Sequence, residues 1–410
     1  MPSGESVALV LSGGGVRGAY EVGVVQGIVE ALGGAQGDLR DRRSGGAAFR
    51  VFAGTSVGAI NAAFLASHAH RADLGIADLA QRWRGLRLRE HLRVDPLGLW
   101  QRPRWWPRRD ATDRLGRSLL DPRPIERLIR ESIAWDALHD NVQAGRVAAL
   151  VVAALEIATG RTSMFAEVAP GASFRPSRDP RRRAVFGPIG PDHVAASAAL
   201  PLLFPARRIG GSYYCDGGLR FNTPIAPAIR AGADKLVVVS VLHRREDVDA
   251  AGDHTADYPS LAFLLGKLLN ALLLDPVQYD LQVLERFNRL WRVIEATLDP
   301  AELARVRDVL VDTRGVAYRT IDTLVFTPSQ DIGELAAEFV ARDLAGRAAG
   351  RGVTWLLRRA TGSRIGREAD FASYFLFDGA FADRLIALGR ADAAARAADI
   401  RRFFGAPAGG

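Results

Sequence analysis

Cysteine is nearly absent from this chain. Cys215 is the only one in 410 residues, which excludes an internal disulfide framework. No group of Cys and His residues has metal-ligand spacing, and no acidic loop follows a calcium-binding pattern, so neither a metal nor a cofactor is expected. Long apolar runs are also missing. The longest, at residues 261–274, is interrupted by Lys267 and Asn270 and falls short of the roughly 20 residues a membrane-spanning helix needs. The first six residues, Met1-Pro2-Ser3-Gly4-Glu5-Ser6, lack the basic start and apolar core of a secretory signal. These absences lead to the expectation of a soluble, cytoplasmic protein that meets membranes only peripherally. Lysine is scarce as well, occurring only at Lys235 and Lys267, so nearly all of the 54 basic residues are arginine.

The chain does have the means to build a core. Hydrophobic residues make up 48% of it, which is ample for a packed domain and argues against disorder. The net charge of +8 is carried by arginine in an Ala- and Gly-rich background. No nucleic-acid-binding motif accompanies it, so no nucleic-acid partner is expected. One basic cluster stands out, Trp100-Gln101-Arg102-Pro103-Arg104-Trp105-Trp106-Pro107-Arg108-Arg109. Its Trp105, Trp106 and Arg108 suit the boundary between water and an anionic bilayer. An ordinary proline-rich loop with tryptophans packed on the core accounts for them equally well.

Three segments carry the chemistry. In Gly54-Thr55-Ser56-Val57-Gly58 a serine follows a β-prone segment and precedes a segment of helical composition. This is the arrangement of a nucleophile elbow, in which glycines two residues before and two after the serine relieve a crowded turn. Ser56 would then sit at a helix N-terminus, where free N–H groups favour a developing alkoxide. The second segment, Ser12-Gly13-Gly14-Gly15-Val16-Arg17-Gly18, follows an apolar run of strand length. Backbone N–H groups of such a loop can converge on an oxyanion, a contribution of about 3 kcal/mol per donor. Arg17 would fix the loop or add positive potential. The third, Asp216-Gly217-Gly218, can project a carboxylate from a tight turn, although most Asp-Gly pairs are only turns. None of the seven histidines is placed as a convincing base. His193 comes nearest and reads as a helix-start residue, and Cys215 reads as a small buried side chain.

Together these segments resemble the patatin-like phospholipases, acyl hydrolases that use a Ser–Asp dyad. Gly13-Gly14-Gly15-Val16-Arg17-Gly18 is similar to the family's oxyanion-hole motif, Gly54-Thr55-Ser56-Val57-Gly58 to its nucleophile motif, and Asp216-Gly217-Gly218 to its aspartate motif. Ala195-Ala196-Ser197-Ala198-Ala199-Leu200-Pro201, with Phe204-Pro205, is similar to the helix and Pro turn before the aspartate strand. All four occur in family order over about residues 5–245. The resemblance implies that Ser56 and Asp216 are catalytic, that Gly13, Gly14, Gly15, Arg17 and Gly18 form the oxyanion hole, and that Gly54 and Gly58 shape the elbow. It implies a substrate with ester-linked fatty acids, met at a membrane or micelle surface. An acyltransferase on the same dyad and a non-catalytic lipid-binding protein are the alternatives. Gly13-x-Gly15-x-x-Gly18 also fits a dinucleotide-binding fingerprint. That reading needs an acidic residue ending a second strand, and Asp38 and Asp41 sit instead in a Gly/Arg-rich loop.

Periodicity predicts the architecture. Strand-like runs at 7–11, 49–52, 147–157 and 236–242 alternate with helical segments, the pattern of a three-layer α/β/α fold with a mainly parallel central sheet. A catalytic domain is expected over residues 1–245, with an Arg- and Trp-rich helical insertion at about 72–135. A mostly helical C-terminal region, 246–410, is expected to pack on it. Helices are predicted at 261–274, 277–296, 301–311 and 371–388, with one short strand at 323–326. The Leu-rich 261–274 helix suits either burial or a lid. Oligomeric state is not legible.

Overall fold

The computed structural model describes residues 5–33, 49–71, 73–91, 118–243, 266–271, 275–314, 319–342 and 369–405. Trp105, Trp106 and Arg108, the loop with Asp38 and Asp41, and most of 261–274 lie outside the described residues.

The N-terminal part runs β1 (Val7–Leu11), α1 (Gly18–Ala31), β2 (Val51–Thr55), α2 (Val57–Ser67), α3 (Ile76–Arg84), α4 (Leu88–His91), α5 (Arg123–Ser132), α6 (Trp135–Gln143), β3 (Ala149–Glu156), β4 (Thr162–Val168), β5 (Arg182–Phe186), α7 (Pro191–Ser197), β6 (Arg207–Ile209), β7 (Ser212–Asp216), α8 (Ile225–Arg230) and β8 (Lys235–Val239). There follow α9 (Asp275–Thr297), α10 (Pro300–Arg314), β9 (Asp322–Phe326), α11 (Ile332–Arg342), α12 (Ala369–Phe375), α13 (Gly379–Ala395) and α14 (Ala397–Phe403).

The strands form one sheet in the order β5-β4-β3-β2-β1-β8-β9, with β7 paired to β3 and β6 to β7. Pairing is parallel except at β3–β4, β3–β7 and β6–β7. Side chains alternate between the two faces, as the two-residue strand repeat requires. Leu9, Leu11, Phe52, Leu150, Val152, Val237 and Val239 enter one core, and Ala8, Val10, Val51, Ala53, Val151, Leu236 and Val238 enter the other. The first core packs against α1, α2 and the C-terminal helices, and the second against α8 and α9. The sheet thus lies between two helical layers, and its central strands are apolar on both faces.

The tail is built into this fold. Strand β9 pairs in parallel with β8, so the expected boundary at 245 falls between two neighbouring strands of one sheet. Asn288 of α9 secures that edge, donating to Ile321 O at 2.8 Å and accepting from Ile321 N at 3.1 Å. Helix α13 crosses α1 at backbone contact distance. A Cβ on Gly23 would lie 2.0 Å from the Ile386 carbonyl oxygen, and one on Gly389 would lie 2.2 Å from that of Tyr20. Tyr20 donates its hydroxyl to Asp392 at 3.0 Å across the same seam. Asn61 joins three helices by donating to Gly18 O (3.0 Å) and Glu21 Oε2 (2.8 Å) and accepting from the Trp83 indole (3.1 Å).

The stretch 371–388, predicted as one helix, is two. The break at Leu376–Asp378 arises because Asp378 accepts the Ala380 N–H at 2.9 Å and caps a new helix, a signal the apolar spacing conceals. No helix among the described residues is long and apolar enough to cross a membrane.

The Gly23 seam is directly testable. Gly23→Ala is expected to lower stability by about 1–3 kcal/mol, because a backbone carbonyl cannot rotate away from the added methyl. Thermal unfolding of the purified variant measures this, and an unchanged midpoint would show that α1 and α13 can separate without cost.

Candidate active site

The sheet's registers bring the site together before any side chain is considered. Thr55, the last residue of β2, pairs with Ala153 of β3, and Ala154 of β3 pairs with Asp216, the last residue of β7. Ser56 and Asp216 therefore flank the same point of β3, although they are 160 residues apart. Leu11, the end of β1, pairs with Gly54, so the glycine loop begins beside the elbow. All this lies at the carboxyl ends of parallel strands, where open α/β sheets place their ligand crevices.

Ser56 has φ 55° and ψ −126° and stands as N-cap of α2. That conformation costs an ordinary residue about 1–3 kcal/mol and occurs where surrounding contacts enforce it. Those contacts are visible. The Ser56 N–H donates to Ser197 Oγ at 2.9 Å, and Ser197 in turn donates to Ala153 O at 2.6 Å. Thr55 Oγ1 donates to Phe221 O at 3.1 Å. On either side the chain is pressed against itself. A Cβ on Gly54 would lie 2.3 Å from Gly58 O, and one on Gly58 would lie 2.5 Å from Leu11 O. Both glycines are thus dictated by space.

The Ser56 hydroxyl donates to Asp216 Oδ2 at 2.6 Å. Asp216 Oδ1 accepts the Gly218 N–H at 2.7 Å, which fixes the carboxylate's plane. The carboxyl is 2% exposed, and this burial pushes its pKa up to about 7, against the opposing effect of those two hydrogen bonds. A carboxylate of ordinary pKa is a poor partner for a serine proton, whereas one near 7 is matched to base chemistry at neutral pH. Among the described residues no histidine is hydrogen-bonded to Ser56. His193 instead accepts the Gly190 N–H at the start of α7, and Cys215 is buried.

The glycine loop divides into different tasks. Gly13 is held by Asn222, whose Oδ1 accepts the Gly13 N–H at 2.9 Å and whose Nδ2 donates to Gly13 O at 3.1 Å. That N–H is therefore already occupied. Gly15, at φ 59°, lines the cavity onto which Ser56 and Asp216 open. Gly14 and Gly15 have no acceptor for their N–H groups among the described residues. Arg17 is buried and donates Nε and Nη2 to Ser373 Oγ at 2.9 and 2.6 Å. Its side chain thus ties the loop to the C-terminal part of the chain. Gly18 packs against Val57 and Asn61 at the start of α1, where a Cβ would lie 2.7 Å from Val57 Cγ1. Asn222, Ser197 and Ser373 were missing from the sequence-based site. Nothing in the sequence ties Asn222 to Gly13 or Ser373 to Arg17, and only Ser197 stood inside a recognised motif.

The cavity is about 90 Å³ in volume and has a nearly all-apolar wall. Ser56 at the N-cap of α2 and Val57, Ile60 and Phe64 on the helix line it, eight residue steps or roughly 12 Å at the helical rise. Leu200 and Phe204 add to the wall, as do Tyr374, Phe375 and Phe377 from the far end of the chain.

A sequence profile described as patatin-like phospholipase matches residues 9–229, more than half of the chain. The protein belongs to that family, a membership that makes it a lipid hydrolase in general. Among solved structures it is similar to VipD from Legionella pneumophila, at 13% identity and a TM-score of 0.32, over 93% of this chain and 67% of that one. No curated protein matches it.

Two outcomes follow from the Asp216 environment. Activity is expected to fall about tenfold per unit as pH drops below about 7, because the base must be ionised. The carboxyl's pKa in the folded chain lies above its ordinary 3.8, so its contribution to stability is present below 3.8 and lost as pH rises through about 7. Asp216→Asn, which never ionises, is expected to match wild-type unfolding behaviour near pH 4 and to unfold at a higher temperature than wild type at pH 8. Calorimetry across that range checks the sign, and a variant less stable at pH 8 would contradict it.

Proposed function

We infer that this chain hydrolyses ester-linked fatty acids from lipids with Ser56 as nucleophile and Asp216 as general base. The observation that carries this reading is the 2.6 Å hydrogen bond from the Ser56 hydroxyl to a buried carboxylate, at the floor of an apolar cavity.

In the first step the Ser56 oxygen attacks the ester carbonyl while its proton passes to Asp216 Oδ2. The carbonyl oxygen takes up negative charge facing the Gly14 and Gly15 N–H groups and the N-terminus of α2. These are fixed dipoles that need no reorientation during the reaction. Asp216 then returns the proton to the departing alkoxide, which leaves as the lyso product or alcohol. Water attacks the resulting acyl-enzyme, Asp216 accepts its proton, and the Ser56 oxygen is released carrying that proton. Atoms and charge balance across both steps, and Asp216 ends ionised.

The cavity wall supports the substrate class. Burying an acyl chain along Val57, Ile60 and Phe64 contributes about 0.8 kcal/mol per methylene, and Arg82 and Ser132 are among the few polar groups the wall offers a head group. The reading therefore places the fatty-acyl chain in the cavity and the head group at its mouth. Contact with membrane or micelle would be peripheral, and the catalytic unit would comprise the whole described sheet.

Ser56→Ala is expected to remove at least about 10³-fold of esterase activity, and Asp216→Asn a similar amount, with both variants still folded. A fluorophosphonate probe is expected to label Ser56 in the wild-type chain only. Full turnover by either variant would refute the assignment. Product analysis with an added acceptor alcohol separates hydrolysis from acyl transfer, since transfer would yield a new ester in place of free fatty acid.

A further inference from the structure

The glycine loop is clamped from two directions, and one clamp comes from outside the region the family profile matches. On the near side Asn222 holds Gly13. On the far side stands α12, more than 350 residues along the chain from Arg17. Three separate contacts join α12 to the loop. The buried Arg17 guanidinium gives two donors to the one hydroxyl of Ser373, at 2.9 and 2.6 Å. The same guanidinium lies over the Tyr374 ring, 4.4 Å from its centroid. The Tyr374 carbonyl presses on Gly15 so closely that a Cβ there would lie 2.2 Å from the oxygen. Tyr374 is itself anchored, its hydroxyl donating to Asn270 at 2.8 Å. The chain just beyond is pinned as well, with the Gly379 N–H donating to Leu86 O at 2.8 Å.

The two N–H groups that face the proposed oxyanion, those of Gly14 and Gly15, lie between these clamps. Gly15 holds a left-handed φ of 59°, a conformation glycine adopts easily and also leaves easily. A triglycine loop has little stiffness of its own. Donors that stabilise an oxyanion must already be aimed before the reaction, and an error of about 1 Å can cost on the order of 100-fold in rate. The aim of this loop therefore depends on what grips it.

We propose that Ser373 is a positioning residue for the reaction: acting through Arg17, it fixes the glycine loop so that the Gly14 and Gly15 N–H groups point at the oxyanion, and the C-terminal segment 373–377 is thereby part of the active site. The same segment supplies cavity wall through Tyr374, Phe375 and Phe377. This inference rests on the Ser56–Asp216 reading, and its test separates the two.

The experiment uses the full chain as wild type, Ser373→Ala, Ser373→Thr and Arg17→Lys. Each is assayed with a soluble short-chain p-nitrophenyl ester, which does not need the long apolar groove. Active sites are counted with a fluorophosphonate, thermal midpoints are recorded, and amide hydrogen exchange is followed over residues 12–18. Ser373→Ala is expected to lower kcat per titrated site about 10- to 100-fold with KM within about twofold, the signature of a contact that acts in the transition state. Exchange over 12–18 is expected to quicken in the same variant. Ser373→Thr keeps the hydroxyl and is expected to retain most of the rate. Arg17→Lys loses the fork and is expected to behave as Ser373→Ala does. Wild-type kcat per site in Ser373→Ala would overturn the proposal. So would fewer titratable sites and a lower midpoint at unchanged kcat per site, which would assign Ser373 to folding alone. If folded wild-type chain hydrolyses no ester and takes no label, the dyad reading fails. Exchange over 12–18 then decides alone: a quickened loop upholds the clamp, and an unchanged one overturns it.

Discussion

A serine held at φ 55° is the constraint on which the rest of this structure depends. Left to itself that backbone would relax into a commoner conformation, and the hydroxyl would swing away from the carboxylate. It is retained because the surroundings leave no room for relaxation. Gly54 and Gly58 are in backbone contact, Gly58 rests on the end of β1, and Ser197 takes the Ser56 N–H while anchoring itself to β3. Ser56 is thus tied to β1, β2, β3 and α7 at once, and its position is as firm as the sheet.

The carboxylate presents the opposite problem. Asp216 is buried at some cost to its charged form, and among the described residues the Ser56 hydroxyl and the Gly218 N–H compensate it. A more generous set of partners would stabilise the anion further and weaken it as a base. Burial, opposed by only these few hydrogen bonds, is what holds the carboxyl above the ordinary carboxylate range. The β3–β7 register places Asp216, and the Gly218 N–H orients its carboxyl plane.

The C-terminal part of the chain belongs to the same physical unit. It contributes an edge strand, it interlocks with α1 where glycine faces backbone, and it grips the loop that follows β1. A chain cut after β8 would leave β8 without its outer neighbour and would strip from Arg17 the hydroxyl that binds it. Helices α2, α3 and α5, residues Leu200 and Phe204, and Tyr374, Phe375 and Phe377 together line the apolar cavity. The cavity wall therefore combines residues of the region the family profile matches with three aromatic side chains from beyond it.

Much of this was legible early, for reasons that are local. A strand that is apolar on both faces announces a sheet covered on both sides, and the alternation of strands with helices announces a mainly parallel one. Glycines at fixed distances from Ser56 betray a crowded elbow because only they fit there. The sequence alone thus determined the fold and picked out the serine, the aspartate and the glycine loop that it brings together. Tertiary structure decided the remainder. Gly13 lost its N–H to Asn222, Arg17 turned out to be a tether to Ser373, and the helix predicted over 371–388 broke at Asp378. Each of these depends on which distant residue arrives beside a given atom, and no spacing along the chain records that. Residue type and period fix what a segment can be; register and packing across 160 to 356 residues fix what it touches.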